Sequence, residues 1–159
     1  MKEYGMRPTE DMQNRDTAPL SEEELFSAIQ RRAEDPELLF HGGIGMRVIA
    51  AQDGYAETEV TLEPRLGNPV GSIHGGLLLT LADNTGGIAV SSCGYYCTTS
   101  SCSFNFMRTD PKAGKIIARA TVLKTGKRLC VTDIRIYDEK GTLFCAGLFE
   151  YAVLGVRQV

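Results

Sequence analysis

Hydrophobic positions along the chain change period from segment to segment, and the changes mark its elements. Leu25, Phe26 and Ile29 recur at helical spacing behind Ser21 and Glu24. That pair is a capping box, in which each residue satisfies a backbone N–H of the other. A short amphipathic helix is predicted over residues 21–34, ended by Asp35-Pro36. From Gly45 the period falls to two. Ala56, Thr58, Val60 and Leu62 alternate with Tyr55, Glu57, Glu59 and Thr61, as a half-buried strand requires. Met46 to Gln52 is its hairpin partner, turning at Asp53-Gly54. Four further strands are predicted over residues 98–107, 115–124, 128–137 and 142–154, divided by Asp110-Pro111, Thr125-Gly126 and Lys140-Gly141.

Between the two groups of strands, Gly76 to Ser92 carries Leu77, Leu78, Leu79, Leu81, Ala82, Ile88, Ala89 and Val90. Apolar residues lie around almost the whole circumference, the pattern of a helix buried on all sides, about 25 Å long. The order of two strands, one long helix and four strands predicts an α+β fold. One antiparallel sheet of about six strands is covered on its apolar face by the central helix, with an extra helix at the N-terminus.

One narrow stripe interrupts the apolar helix: Thr80, Asp83, Asn84 and Gly87, at i, i+3, i+4 and i+7. A buried carboxylate costs several kcal/mol unless it is paired or hydrogen-bonded, and the helix offers Asp83 no Lys or Arg. Asp83 either caps a neighbouring backbone segment, faces water at an edge, or serves chemistry. The turn before it, Asn68-Pro69-Val70-Gly71-Ser72-Ile73-His74-Gly75-Gly76, favours chemistry. Two glycines at a helix start leave backbone N–H groups uncovered, and the helix dipole adds positive charge there, which makes an oxyanion hole. His74 can fix the turn or transfer a proton. A second His-Gly-Gly, at His41, Gly42 and Gly43, leads into a strand pattern with Ala50 where the first copy has Asp83, so it reads as a loop.

Composition narrows the function. The chain has 159 residues, enough for one domain. Residues 1–20 are polar and aperiodic and read as a disordered tail, leaving residues 21–159 as the single domain. The 17 basic and 20 acidic residues give no broad basic face, so nucleic acid is not an expected partner. No membrane span or export signal is visible, which places the protein in the cytoplasm. The five cysteines, Cys93, Cys97, Cys102, Cys130 and Cys145, are an odd number in that compartment and match no zinc spacing. Most are expected to be buried as small apolar residues, with no metal and no cofactor.

The run Asn68-x-x-Gly71-x-x-His74-Gly75-Gly76, followed by an apolar helix with Asp83-Asn84 at its middle, resembles the hotdog-fold thioesterases, especially the phenylacetate-pathway acyl-CoA thioesterase branch. The resemblance covers residues 43–154. It implies a strongly curved antiparallel sheet wrapped around the central helix, in subunits paired as a homodimer or a dimer of dimers. It also implies that the Gly75 N–H binds the thioester carbonyl and that Asp83 is general base or nucleophile. Asn68 helps hold the carbonyl or water, His74 supports the turn, and Gly76 and Asn84 line the substrate site. A hydroxyl on the strand after the helix positions water; spacing to Phe104 and Met107 puts it at Thr99, with Ser100 beside it.

The chemistry agrees with these residue types. A leaving thiolate, with an ordinary thiol pKa of ~8.5, departs without obligatory protonation, so one donor site and one carboxylate suffice. There is no Gly-x-Ser-x-Gly elbow and no cysteine at a helix start. Gly75 and Asp83 lie eight positions apart, about 12 Å along one helix, whereas a reacting carbon must lie ~3 Å from each partner. The acid is therefore expected from a second subunit's antiparallel helix. Arg108, Lys112, Lys115, Lys124, Lys127 and Arg128 are candidates for the coenzyme A phosphates or ordinary solvated charges. Tyr95 and Tyr96 line an acyl tunnel or pack beneath the loop. Two other functions remain open: a hydratase or dehydratase of acyl thioesters, which would need His74 for proton transfer at carbon, and a non-catalytic acyl-CoA-binding protein.

Overall fold

A computed structural model describes residues 21–34 and 40–156. The reading of residues 1–20 as a tail, and the Asp35-Pro36 stop, lie outside the described residues. The elements are α1 (Glu22–Glu34), α2 (Phe40–Gly43), β1 (Met46–Gln52), β2 (Tyr55–Thr61), a 3-10 turn (Pro64–Leu66), α3 (Gly75–Ser92), β3 (Tyr95–Phe106), β4 (Lys115–Lys124), β5 (Leu129–Asp138) and β6 (Leu143–Val156).

The six strands form one antiparallel sheet in the order β1-β2-β4-β5-β6-β3, so β3, which follows the central helix, is an edge. The hairpin β1–β2 turns through two residues with positive φ, Asp53 at 47° and Gly54 at 80°. This handedness matches the twist of the flanking strands. Register shifts at Val48/Ala50, Val122/Lys124, Ile136/Tyr137 and twice in β3 bend the strands, which gives the sheet its curvature.

Helix α3 lies in the hollow of that curve. Small residues face it at the middle of the sheet: Ala56 is paired with Ala120 and Thr58 with Ala118, all four buried. Around them Val60, Ile116, Ile134, Ile136, Phe144, Phe149 and Tyr151 complete the core with Leu77, Leu78, Leu81 and Val90 of the helix. The buried polar contact between helix and sheet is satisfied: Thr58 and Thr85 hydroxyls are 2.6 Å apart, and Thr85 Oγ1 donates to the Leu81 carbonyl at 2.6 Å. Helix α1 has its capping box in place, with Ser21 N donating to Glu24 Oε2 at 2.8 Å and Glu24 N to Ser21 Oγ at 3.3 Å. Its Glu34 accepts the Val48 N–H at 2.8 Å, which ties the helix to the β1 edge.

Several expectations differ from the structure. The His41-Gly42-Gly43 segment forms a short helical turn, α2, rather than a loop. Only Cys130 and Cys145 are buried; Cys93 and Cys97 are half-buried and Cys102 is exposed on the edge strand. Helix α3 is not buried all round. Gly76 and Leu79 are exposed, Thr80, Asp83, Asn84, Gly87 and Ser91 are half-buried, and together they make one open face along the helix. Apolar composition tells how much of a helix can be buried, and the sheet of this chain wraps only part of it.

Candidate active site

The site begins in the connection from β2 to α3. The 3-10 turn and the bridge between Gly67 and Ile73 close it into a compact loop whose anchor is the buried Ile73. Asn68 organises the interior: its Oδ1 accepts the N–H groups of Val70 at 3.2 Å and Ser72 at 2.9 Å. Its Nδ2 reaches the Ile73 carbonyl at 3.5 Å, and the second N–H of that amide has no partner among the described residues. The Ser72 hydroxyl meets that of Thr109 at 2.8 Å, pinning the loop to the chain beyond β3. A cleft of about 380 Å³ is lined in part by Leu66, Asn68, Ser72, Ile73, Pro111 and Ala113.

His74 is the N-cap of α3, in extended backbone at φ −68° and ψ 127°. Its Nδ1 accepts the Gly76 N–H at 2.9 Å, and its carbonyl accepts from Leu77 at 3.0 Å and Leu78 at 3.3 Å. Three of the helix's leading N–H groups are thereby engaged. The Gly75 N–H is the one left without a partner among the described residues. It lies beside the Phe106 ring, and a Cβ at Gly75 would be 3.7 Å from Phe106 Cε1. A free donor at a helix N-terminus next to an apolar wall suits an oxygen that gains negative charge. Gly76 is not a second such donor, because His74 already caps it.

Asp83 stands two turns further along, half-buried on the open face. Thr99 Oγ1, from edge strand β3, donates to Asp83 Oδ1 at 2.6 Å. Oδ2 has no partner among the described residues, so one carboxylate oxygen is held and the other is available. Among the hydroxylic residues Thr98 to Ser101, Thr99 is the one that reaches the acid. Ser100 donates instead to the Glu150 carbonyl at 3.0 Å and Ser101 to the Glu150 carboxylate at 2.8 Å. Asn84 back-bonds to the Thr80 carbonyl at 2.9 Å. Asp83 and Thr99 therefore meet within one chain, while Asn68, His74 and Gly75 belong to the loop and helix start that precede them. The two groups are separated along α3 by about 12 Å.

One contact at the site was not anticipated from sequence. Tyr151 Oη donates to the backbone carbonyl of Asp83 at 2.7 Å. The pair is 68 positions apart, and the local signal is indirect: Gly86-Gly87 inside a helix marks a close approach by another group.

Two of the five thiols are held away from the nucleophilic form. Burial pushes the Cys145 thiol up to about 11 and moves Cys93 in the same direction, away from thiolate. Among the basic candidates, Lys115 is committed to Glu59 at 2.7 Å. No group of three potential metal ligands occurs among the described residues, and none of their helices is long and apolar enough to cross a membrane.

A six-stranded curved antiparallel sheet around one long helix, with a capped glycine turn at its start and an acid in its middle, defines the hotdog class. Comparison with known proteins refines this. The thioesterase superfamily profile matches residues 70–145. The acyl-coenzyme A thioesterase PaaI of Escherichia coli K12 is 31% identical over 97 residues, 61% of this chain and 69% of the relative. The solved structure of E. coli PaaI superposes with a TM-score of 0.75 at 25% identity, covering 86% of this chain and 95% of that one. A hypothetical thioesterase of Streptococcus pneumoniae TIGR4, solved with coenzyme A, gives 0.67 at 26% identity, covering 70% and 90%. The chain belongs to the thioesterase superfamily, in its PaaI-like branch, and is a thioester hydrolase.

Proposed function

We propose that the protein hydrolyses the thioester of an acyl- or aryl-coenzyme A to the free acid and coenzyme A, as a homodimer or dimer of dimers in the cytoplasm, without a metal or cofactor. The observation that carries this reading is the Thr99–Asp83 hydrogen bond of 2.6 Å, which leaves Oδ2 available on the open face of the same helix whose N-terminus offers the Gly75 N–H. The relatives support the substrate class: one is named an acyl-coenzyme A thioesterase and another was solved with coenzyme A.

In this reading two α3 helices lie antiparallel across a two-fold axis, so that Asn68, His74 and Gly75 of one subunit face Asp83 and Thr99 of the other. The open stripe Gly76, Leu79, Thr80, Asp83, Asn84 and Gly87 is then part of the subunit contact, and edge strand β3 lies beside it. The thioester oxygen takes the Gly75 N–H. Asp83 Oδ2 either removes a proton from the attacking water or itself attacks the carbonyl carbon to form an anhydride that water then opens. In both routes the new C–O bond forms first and the carbonyl oxygen takes up the charge; the C–S bond then breaks as the carbonyl re-forms, and the sulfur leaves as thiolate. Asn68 contributes its unpartnered N–H. Asn84 and Gly76 line the floor, while Ser100 is turned toward β6 and away from the acid.

His74 caps the helix through Nδ1, a fixed role that agrees with hydrolysis and offers little to proton transfer at carbon in a hydratase. The test is thiol release from a panel of acyl- and aryl-CoAs by wild type and Asp83→Ala. Loss of turnover in the variant is expected. Undiminished turnover refutes the assignment of Asp83, and enoyl-CoA hydration without thiol release refutes hydrolysis.

A further inference from the structure

Thr99 and Tyr151 are directly opposite each other in the β3–β6 ladder, beside the register shift between Thr99 and Ser101. Both hydroxyls bond to the same helical residue. Thr99 holds the Asp83 side chain at 2.6 Å, and Tyr151 holds the Asp83 carbonyl at 2.7 Å. An adjacent pair of strand positions thus grips one residue of α3 by its carboxylate and by its backbone.

The rest of the neighbourhood is shaped around the second of these bonds. Tyr151 is among the largest fully buried side chains, at 1% exposure. Its ring stacks on Phe149, with centroids 6.4 Å apart and planes 17° apart, and Phe149 meets Phe104 edge-on at 5.6 Å. The hydroxyl gains access to the helix backbone because Gly86 has no side chain: a Cβ there would overlap Tyr151 Oη and come within 2.6 Å of Ile134 Cδ1. Burial, and after it the charge of Asp83, push the phenol well above its ordinary value, so it stays a donor wherever the enzyme works. The Asp83 carbonyl has two lone pairs, so it can accept this bond in addition to its helical one.

We infer that Tyr151 is a positioning residue for Asp83, fixing the helical turn that carries the carboxylate while Thr99, opposite it on the edge strand, orients the carboxylate itself. The inference rests on the reading of Asp83 as the reacting group. Hydrolysis depends on the acid's placement, and a displacement of about 1 Å costs up to a hundredfold in rate. A bond to the backbone constrains the whole residue, which a bond to the side chain alone does not.

Tyr151→Phe keeps the ring and its packing and removes only the hydroxyl. The helical bond still serves the Asp83 carbonyl, so the melting temperature is expected to stay close to that of wild type. The rate is not. We expect kcat for acyl-CoA hydrolysis to fall roughly tenfold to a hundredfold with KM nearly unchanged. The loss should combine with that of Thr99→Val less than multiplicatively, because both act on one residue. In an Asp83→Asn background, Tyr151→Phe should change the residual rate not at all. Wild-type kcat in Tyr151→Phe, or the same fractional loss with and without Asp83, overturns the inference. The two failures are distinguishable: full activity of Asp83→Ala removes the catalytic reading, whereas an inactive Asp83→Ala beside a fully active Tyr151→Phe removes only the role of Tyr151.

Discussion

Replacing Gly75 by proline deletes one hydrogen-bond donor and leaves the rest of the turn in place. Proline is tolerated at the first position of a helix, where its fixed φ is suitable and its missing N–H breaks no helical bond. The preceding residue must be extended, and His74 already is, at ψ 127°. The neighbouring donors cannot substitute, since Gly76 is bonded to His74 Nδ1 and Leu77 and Leu78 to the His74 carbonyl. Loss of one oxyanion donor costs roughly 100- to 1000-fold in kcat, about 2.7–4 kcal/mol of transition-state stabilisation. Gly75→Ala is the matched control. It keeps the N–H, its Cβ makes ordinary contact with Phe106 at 3.7 Å, and it should retain most of the activity. The assay is steady-state thiol release alongside thermal melting of both variants. A folded Gly75→Pro enzyme with wild-type kcat would refute the oxyanion role of this N–H.

Two further outcomes follow from the core and the hairpins. Thr85→Val strands the buried Thr58 hydroxyl and should cost about 1–3 kcal/mol in denaturant unfolding, whereas the double variant Thr58→Val/Thr85→Val should be less destabilised than Thr85→Val alone. Asp138 closes the β5–β6 hairpin through the N–H groups of Lys140 at 2.9 Å and Thr142 at 2.7 Å. Burial alone would raise its carboxyl, but those bonds outweigh it and hold the pKa below its ordinary 3.8. A folded pKa below the unfolded one means a contribution complete above the unfolded value and lost as pH falls through the folded one. Asp138→Asn should therefore flatten the fall of melting temperature with acid below about pH 4, and an unchanged acid dependence would contradict this.

Local signals were legible in the sequence and long-range ones were not. Asp53-Gly54 announced a two-residue hairpin because only a few residues adopt positive φ cheaply, and β1 and β2 end where that turn requires. The alternation of Ala56, Thr58 and Val60 marked a buried face because one side of β2 lies against the helix. Strand β3 starts three residues earlier than expected, at Tyr95. It is an edge strand whose outer positions carry no alternation, so its start leaves no pattern. The turn from Asn68 to Gly76 was visible as chemistry. That Gly75, among the leading N–H groups of α3, is the one without a partner among the described residues was not, because it depends on where the His74 ring folds back. Tyr151 was invisible for the same reason as the open face of α3: which group approaches a helix from outside is decided by strands far away in the chain.

The most direct test of a shared site is complementation between subunits. In the proposed homodimer Asp83→Asn and Gly75→Pro each disable a different half of the site, so each variant alone should be nearly inactive. Mixed by co-refolding or co-expression in equal amounts, half of the dimers are heterodimers, each with one intact site and one doubly damaged site. Thiol release should then recover to about one quarter of the wild-type rate per subunit. If the oxyanion donor and the acid instead served one reaction within one chain, the mixture would show only the sum of the two inactive parents, and the intersubunit site would be contradicted.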